Sequence, residues 1–373
     1  MATEATTPEP IRYGIIGSGM MGIEHIQNIN QVDGAVVTAA ADPHQPSLDA
    51  AVAEAAGDEP IATFTDHNEL LASGLCDAIV LASPNFTHAD LLSDIFASGL
   101  HVLIEKPMCI TVEECERAIE QAEATKDVNP DRKIWVGLEY RYMPPVAALI
   151  DDVANGAVGT PHMVAIREHR FPFLVKVGDW NRFSANTGGT LVEKCCHFFD
   201  LMTTIIGEKP VRVFASGAQD VNHLDETYDG KTPDILDNAY VIVDYPSGQR
   251  ALLDLCMFAD ATEDQEEVSV VGPIGKVEAL LPVGKILRGR RGEHWIGEVE
   301  SELVVDESIA HEGLHHGSSF VEHVKFAAAI RGEQEVEVTL ENGLWSVAVG
   351  AAAHKSIEEG RPVLLSEMMG TNA

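Results

Sequence analysis

Tyr13-Gly-Ile-Ile-Gly-Ser-Gly-Met-Met-Gly22 is the stretch that decides the fold. An apolar strand ending at Ile16 runs into Gly17-x-Gly19-x-x-Gly22, and residues 20–32 then carry an amphipathic helical period. In this strand–turn–helix context each glycine has its own task. Gly17 permits the tight turn, Gly19 lets a pyrophosphate approach the backbone, and Gly22 lets the helix pack closely on the strand. The free N–H groups of the helix start face the phosphates, and Met20 and Met21 belong to the same cofactor-binding loop. Asp42 follows Gly22 by twenty residues, at the end of the next apolar run, where a carboxylate accepts hydrogen bonds from ribose hydroxyls. It repels a 2′-phosphate, and Pro43-His-Gln45 offers no Arg or Lys to hold one, so the expected cofactor is NAD, with NADP disfavoured. The bland alternative is a Gly-rich turn that binds nothing.

Outward from this motif the pattern repeats. Residues 11–16, 35–41, 78–82, 102–104 and 134–138 are apolar runs separated by helical stretches such as 91–99, which predicts a doubly wound parallel sheet covered on both faces. From about Thr160 the runs follow one another directly, at 162–169, 211–216, 239–245, 250–258, 267–271 and 276–281. Pro246-Ser-Gly248 and Gly272-Pro-Ile-Gly275 read as hairpin connections, so the second sheet is expected to be open and mostly antiparallel. Helices over 190–206, 319–330 and 341–358 are expected to cover one of its faces. The predicted organisation is α/β: a flexible tail at 1–10, an NAD-binding Rossmann domain at 11–142, and an α+β substrate-binding and oligomerisation domain at 143–373. Ligands are expected in the cleft between the domains. A sheet left bare on one face tends to bury it against a second subunit, so a homodimer or homotetramer is expected.

The 373 residues are 45% hydrophobic and 23% charged, which excludes wholesale disorder and small stapled scaffolds. There are 59 acidic against 25 basic residues, a formal net charge of −34, and a nucleic-acid partner is disfavoured. The acids are dispersed and fewer than half of the cations are lysine, a surface suited to concentrated salt. Cys76, Cys109, Cys115, Cys195, Cys196 and Cys256 form no CxxC pair, so neither a zinc ribbon nor a disulfide framework is indicated. With no basic–apolar leader and no apolar run of spanning length, a cytoplasmic protein without a membrane partner is expected.

Four landmarks in order resemble the Gfo/Idh/MocA oxidoreductases, the glucose-fructose oxidoreductase and inositol dehydrogenase family. They are the glycine motif with Asp42, Ser83-Pro-Asn-Phe-Thr-His88, Glu105-Lys-Pro107, and Gly188-Gly-Thr-Leu-Val-Glu-Lys-Cys-Cys-His-Phe-Phe-Asp200. The resemblance implies that Ser83, Pro84, Asn85 and His88, with Glu105 and Lys106, line the ribose and nicotinamide end of the cofactor. It makes Lys106 the catalytic lysine that polarises the reacting hydroxyl, a role that suits a cleft lysine of lowered pKa. Read alone, Lys106 is a surface lysine before a proline, and His88 a capping residue. The resemblance also makes His197 the proton-transferring histidine, with Glu193 one turn before it where most relatives carry Asp. Lys194 departs from the family pattern and either shares the catalytic or substrate-binding work, is solvated, or pairs with a carboxylate. Asp200 is expected to orient His197 or to close the helix electrostatics, and Arg141, Trp180 and Arg182 to contact substrate.

What the resemblance implies is an NAD-dependent dehydrogenase acting on a hydroxyl of a sugar, inositol or related polyol. The alternatives are a lyase or glycosidase that retains NAD for transient oxidation, and a non-catalytic cofactor sensor. His311-Glu-Gly-Leu-His-His316 has an i, i+4 histidine pair, but Gly313 weakens a helix there, so a polar loop at the cleft is expected and no metal.

Overall fold

The computed structural model describes residues 9–57 and 60–370. The tail expected at 1–10 lies, except for its last two residues, outside the described residues. Strands β1 (Ile11–Ile16), β2 (Ala35–Ala41), β3 (Ala62–Phe64), β4 (Ala78–Leu81), β5 (His101–Glu105) and β6 (Ile134–Gly137) form a parallel sheet of order β3-β2-β1-β4-β5-β6. All four residues of β4 are buried, as befits a strand covered on both faces. The covering helices are α1 (Met20–Ile29), α2 (Gln45–Glu54), α3 (His67–Ala72), α4 (His88–Ser98) and α5 (Val112–Ala124). In α5 the Thr111 hydroxyl accepts from Glu114 N, two acids occupy the first turn, and Val112, Cys115, Ala118 and Ala122 make the buried stripe. The strand order reverses between β1 and β4, which opens a crevice at the carboxyl ends of the strands.

Helix α6 (Pro144–Ala154) leads into the second sheet. Its strands are β7 (Met163–His169), β8 (Arg212–Ala218), β9 (Asn238–Asp244), β10 (Arg250–Cys256), β11 (Glu266–Val271), β12 (Gly275–Leu281), β13 (Lys285–Arg290), β14 (Val299–Leu303) and β15 (Val363–Leu364). They lie in the order β14-β13-β12-β11-β7-β10-β9-β8-β15, and only β7 and β10 pair in parallel. Inner residues such as Val213, Val241, Leu253, Ile166 and Val268 alternate with outer ones, the period-2 signature of a sheet with one covered face. On the other face a row runs Phe214, Ile242, Leu252 and Ala165 across four adjacent strands, and its first three members are exposed.

The remaining helices are α7 (Ser184–Thr187), α8 (Thr190–Glu193), α9 (Cys196–Ile206), α10 (Ser318–Ile330) and α11 (Leu340–Glu359). Two depart from expectation. The single helix expected over 190–206 is broken at Lys194 and Cys195, where α11 comes so close that a Cβ on Gly350 would lie 2.5 Å from the Leu191 carbonyl oxygen. Helix α10 does not cover the second sheet but packs on the Rossmann half. Its buried face carries Glu322 and His323 beside Phe326, and these polar groups find partners there: Trp135 Nε1 donates to Glu322 at 3.1 Å, and His323 meets His25 at 2.8 Å. Among the described residues no helix is long and apolar enough to cross a membrane.

Candidate active site

A cavity of about 640 Å³ opens at the carboxyl ends of β1, β2, β4 and β5. Gly17 turns the chain there at φ +90°, and a Cβ on it would sit 2.4 Å from Ser83 N, so only glycine fits. Gly22 lies beneath the loop, where a Cβ would sit 2.2 Å from the Gly17 carbonyl oxygen. A Cβ on Gly19, by contrast, meets nothing within 4 Å, leaving open space before the amino end of α1. Asp42 is held at the far side, one carboxylate oxygen accepting from Ser18 N and the other from His44 N, both at 2.8 Å. An anion-sized opening at a helix start with a fixed carboxylate beyond it fits a dinucleotide whose adenosine ribose is unphosphorylated.

Met20, Met21, Ser83, Pro84, Asn85, Glu105, Lys106 and Glu193 also line this cavity. His88 does not: its ring is buried and joins Ser83 O at 3.0 Å to Pro107 O at 3.1 Å, so it fixes the loops after β4 and β5 to each other. Lys106 Nζ donates to the Glu193 carbonyl oxygen at 3.2 Å. Burial opposes its charge, but Glu193 and Glu105 outweigh that and hold the ammonium above its ordinary pKa. The expectation of a lowered pKa is thus reversed, because the lysine sits between carboxylates. Asn85 Nδ2 donates to the Glu193 carboxylate, which fixes the side chain one residue before the break between α8 and α9. Burial works against the Glu105 carboxylate, yet the hydrogen bond from His25 at 2.8 Å brings its pKa down to about 2.

The second domain closes the cavity with Val175, Lys176, Val177 and Trp180, the last packing edge-on against Phe86 with centroids 6.3 Å apart. Lys176 was not singled out in the sequence, although it is the one cation in the otherwise uncharged run 171–178. Burial holds its pKa below the ordinary lysine value.

Three residues expected to touch substrate are engaged elsewhere. Arg141 grips Asp200 with two guanidinium nitrogens, Nε at 2.6 Å, so Asp200 is committed to the arginine instead of orienting His197. Arg182 is buried against Glu226 at 3.2 Å. Lys194 Nζ lies 2.9 Å from Glu168 and donates to the Tyr140 hydroxyl at 2.6 Å, and Arg170 reaches the same Glu168 oxygen at 3.3 Å. Lys194, Glu168 and Tyr140 are buried, and burial together with Glu168 pushes the neighbouring Glu266 up to about 7. Lys194 therefore takes the carboxylate pairing left open by the sequence.

His197 stacks on Tyr140, with centroids 3.9 Å apart and planes within 9°. Burial, then the charges of Lys106 and Lys194, press its pKa well below the ordinary value, so the ring is neutral. Glu139, Tyr140 and Glu168 were missed as site residues because nothing in their spacing marks side chains brought together from separate elements. His315 stands in a short turn after Glu312, and no group of three metal-ligating side chains occurs among the described residues.

Two family models match the chain: an oxidoreductase family NAD-binding Rossmann fold over residues 11–129, and the C-terminal alpha/beta domain of the same family over 150–365. The chain is 28% identical over 365 residues to a myo-inositol 2-dehydrogenase of Thermotoga maritima, covering 96% of this chain and 100% of that protein. It is 26% identical over 372 residues to an inositol 2-dehydrogenase of Rhizobium meliloti, covering 95% and 99%. Its fold is similar to that of an oxidoreductase domain protein from Kribbella flavida, with a TM-score of 0.83 at 19% identity over 96% of this chain and 100% of that one. It is also similar to an Agrobacterium radiobacter oxidoreductase in complex with NAD+, L-tartaric acid and magnesium, with a TM-score of 0.78 at 17% identity over 96% and 99%. Both halves of the chain being matched, and the glycine loop opening on a dinucleotide-sized cavity, the chain belongs to the Gfo/Idh/MocA family of oxidoreductases and carries its NAD-binding Rossmann domain.

Proposed function

We propose that the protein is an NAD-dependent dehydrogenase that oxidises a secondary hydroxyl of an inositol-like polyol or sugar. The observation that carries this reading is the charged Lys106 ammonium on the cavity wall beside the Glu193 that Asn85 holds, with the neutral ring of His197 four residues on, past the break between α8 and α9. Nicotinamide bound in the cavity supplies a two-electron acceptor for the hydrogen leaving carbon. Lys106 donates a hydrogen bond to the reacting oxygen and stabilises the negative charge that grows on it. His197 accepts the hydroxyl proton, and Trp180 with Val175 and Val177 keeps water from the reacting carbon. In this reading residues 11–142 hold the cofactor and residues 143–373 shape the substrate side. Mixing the purified protein with NAD and a panel of inositols and sugars in high salt tests it: reduced nicotinamide should absorb with one class of polyol, and no reduction with any would sink it.

The cofactor preference has its own test. Replacing Asp42 with Ser and Pro43 with Arg removes the carboxylate and adds a guanidinium, so the kcat/KM ratio should move toward NADP by about 10- to 100-fold. A wild type that already turns over as well with NADP contradicts the role given to Asp42.

The exposed row Phe214, Ile242 and Leu252, with Tyr240 beside it, supports a dimer or tetramer built on the outer face of the second sheet. Light scattering that finds a monomer at micromolar concentration contradicts it. The charge of −34 supports a cytoplasm rich in salt as the working medium. At molar salt the screening length falls to about 3 Å, so the melting temperature should climb between low salt and molar KCl. A flat or falling response would count against the saline reading.

A further inference from the structure

A buried carboxyl stands behind His197. His197 Nδ1 and Glu139 Oε2 are both buried, neither has a hydrogen-bond partner among the described residues, and they face each other at 3.9 Å. The other oxygen of Glu139, Oε1, faces His315 Nδ1 at 3.7 Å. Side-chain exposure climbs along this series, from 1% at His197 and 3% at Glu139 to 18% at His315, so the three groups run from the interior toward the surface. A buried polar atom left unpaired costs about 1–3 kcal/mol, so two of them aimed at one another are a contact that closes by roughly 1 Å when a proton is shared. Such contacts often tighten only in the working complex. His315 belongs to the histidine-rich run 311–316, which the dehydrogenase reading otherwise leaves without a task.

We propose that Glu139 and His315 form the exit path for the proton that His197 takes from the substrate hydroxyl. The inference rests on the dehydrogenase reading above. His197, protonated on Nδ1, accepts the hydroxyl proton on Nε2 and yields the Nδ1 proton to the Glu139 carboxylate. Glu139 passes a proton to His315 Nδ1, and His315 releases one from Nε2 to water. One proton enters and one leaves, and the two electrons go with the carbon-bound hydrogen to the nicotinamide.

The charged groups around Glu139 suit this work. Glu105 and Glu322 face it along with Lys106, Lys194 and the two histidines. Burial and then the Glu105 charge push the Glu139 carboxyl up to about 8, so it gains and loses a proton near neutral pH. Burial and nearby lysines keep both imidazoles neutral there, as a relay through them requires.

Glu139→Gln keeps the shape and removes the acid. Its kcat for oxidation should fall about 10- to 100-fold, with the KM for polyol and the Kd for NAD within twofold. The wild-type kcat should climb through about pH 8 as Glu139 ionises, and the Gln variant should lose that step while Glu139→Asp recovers part of it. His315→Asn, nearer the surface, should match the loss, and the double variant should be little worse than either single one. In the protein without ligands, infrared difference spectra across the same pH range should show a protonated-carboxyl band that disappears in Glu139→Gln. Wild-type kcat and pH profile in both Glu139→Gln and His315→Asn would overturn the relay alone. Equal losses of stability and cofactor binding with an unchanged pH profile would also overturn it. A wild type that reduces no NAD with any polyol overturns the dehydrogenase reading, which distinguishes the two failures.

Discussion

Lys106→Met should lower turnover by about 10²- to 10⁴-fold while NAD still binds, the scale of a lost acid–base or polarising group. Methionine keeps the unbranched stem that fills the cavity wall but removes the ammonium, whose charge burial opposes and Glu193 and Glu105 favour. The glycine loop and Asp42, proposed to hold the other end of the cofactor, are untouched. Turnover by rapid mixing and NAD affinity by calorimetry separate the two effects. Near-normal turnover with NAD bound would remove Lys106 from the chemistry.

Lys194→Met should cost about 3–5 kcal/mol of stability, the range for breaking a buried pair by removing one partner. Glu168 is fully buried and would lose the ammonium 2.9 Å away, leaving only Arg170 against its charge. The double variant Lys194→Met with Glu168→Gln should recover part of the loss, because it removes the stranded charge along with its partner. Urea unfolding measures both. A Lys194→Met protein of unchanged stability whose only defect is a raised KM would return Lys194 to the substrate.

The contrast between these two lysines marks how much of the molecule was legible. Lys106 could be read because it belongs to a local motif, the Glu105-Lys-Pro107 that carries the family resemblance, and the motif follows β5 at the crevice where the strands end. Gly17, Gly19, Gly22 and Asp42 were legible for the same reason, since a local turn and a fixed spacing determine their positions. Lys194, Arg141 and Arg182 were not. Their partners Glu168, Asp200 and Glu226 are acids at long separations, and a chain with 59 of them offers no way to choose by spacing. Strands β13 and β14 escaped for another reason: Lys285–Arg290 is half charged, and all five residues of Val299–Leu303 are exposed, so no apolar alternation marks them. Helix α10 was found but assigned to the wrong half, because periodicity gives the buried face of a helix and not what it is buried against.

In the proposed reaction hydrogen passes directly from a polyol carbon to nicotinamide within the cavity beside Lys106. The most direct test uses a polyol carrying deuterium on the carbon that is oxidised, with the reduced nicotinamide examined by NMR after turnover. One deuterium is expected on the nicotinamide ring for each product molecule, on one face only. Deuterium found in water, or kept in the product with no reduced nicotinamide accumulating, would contradict it.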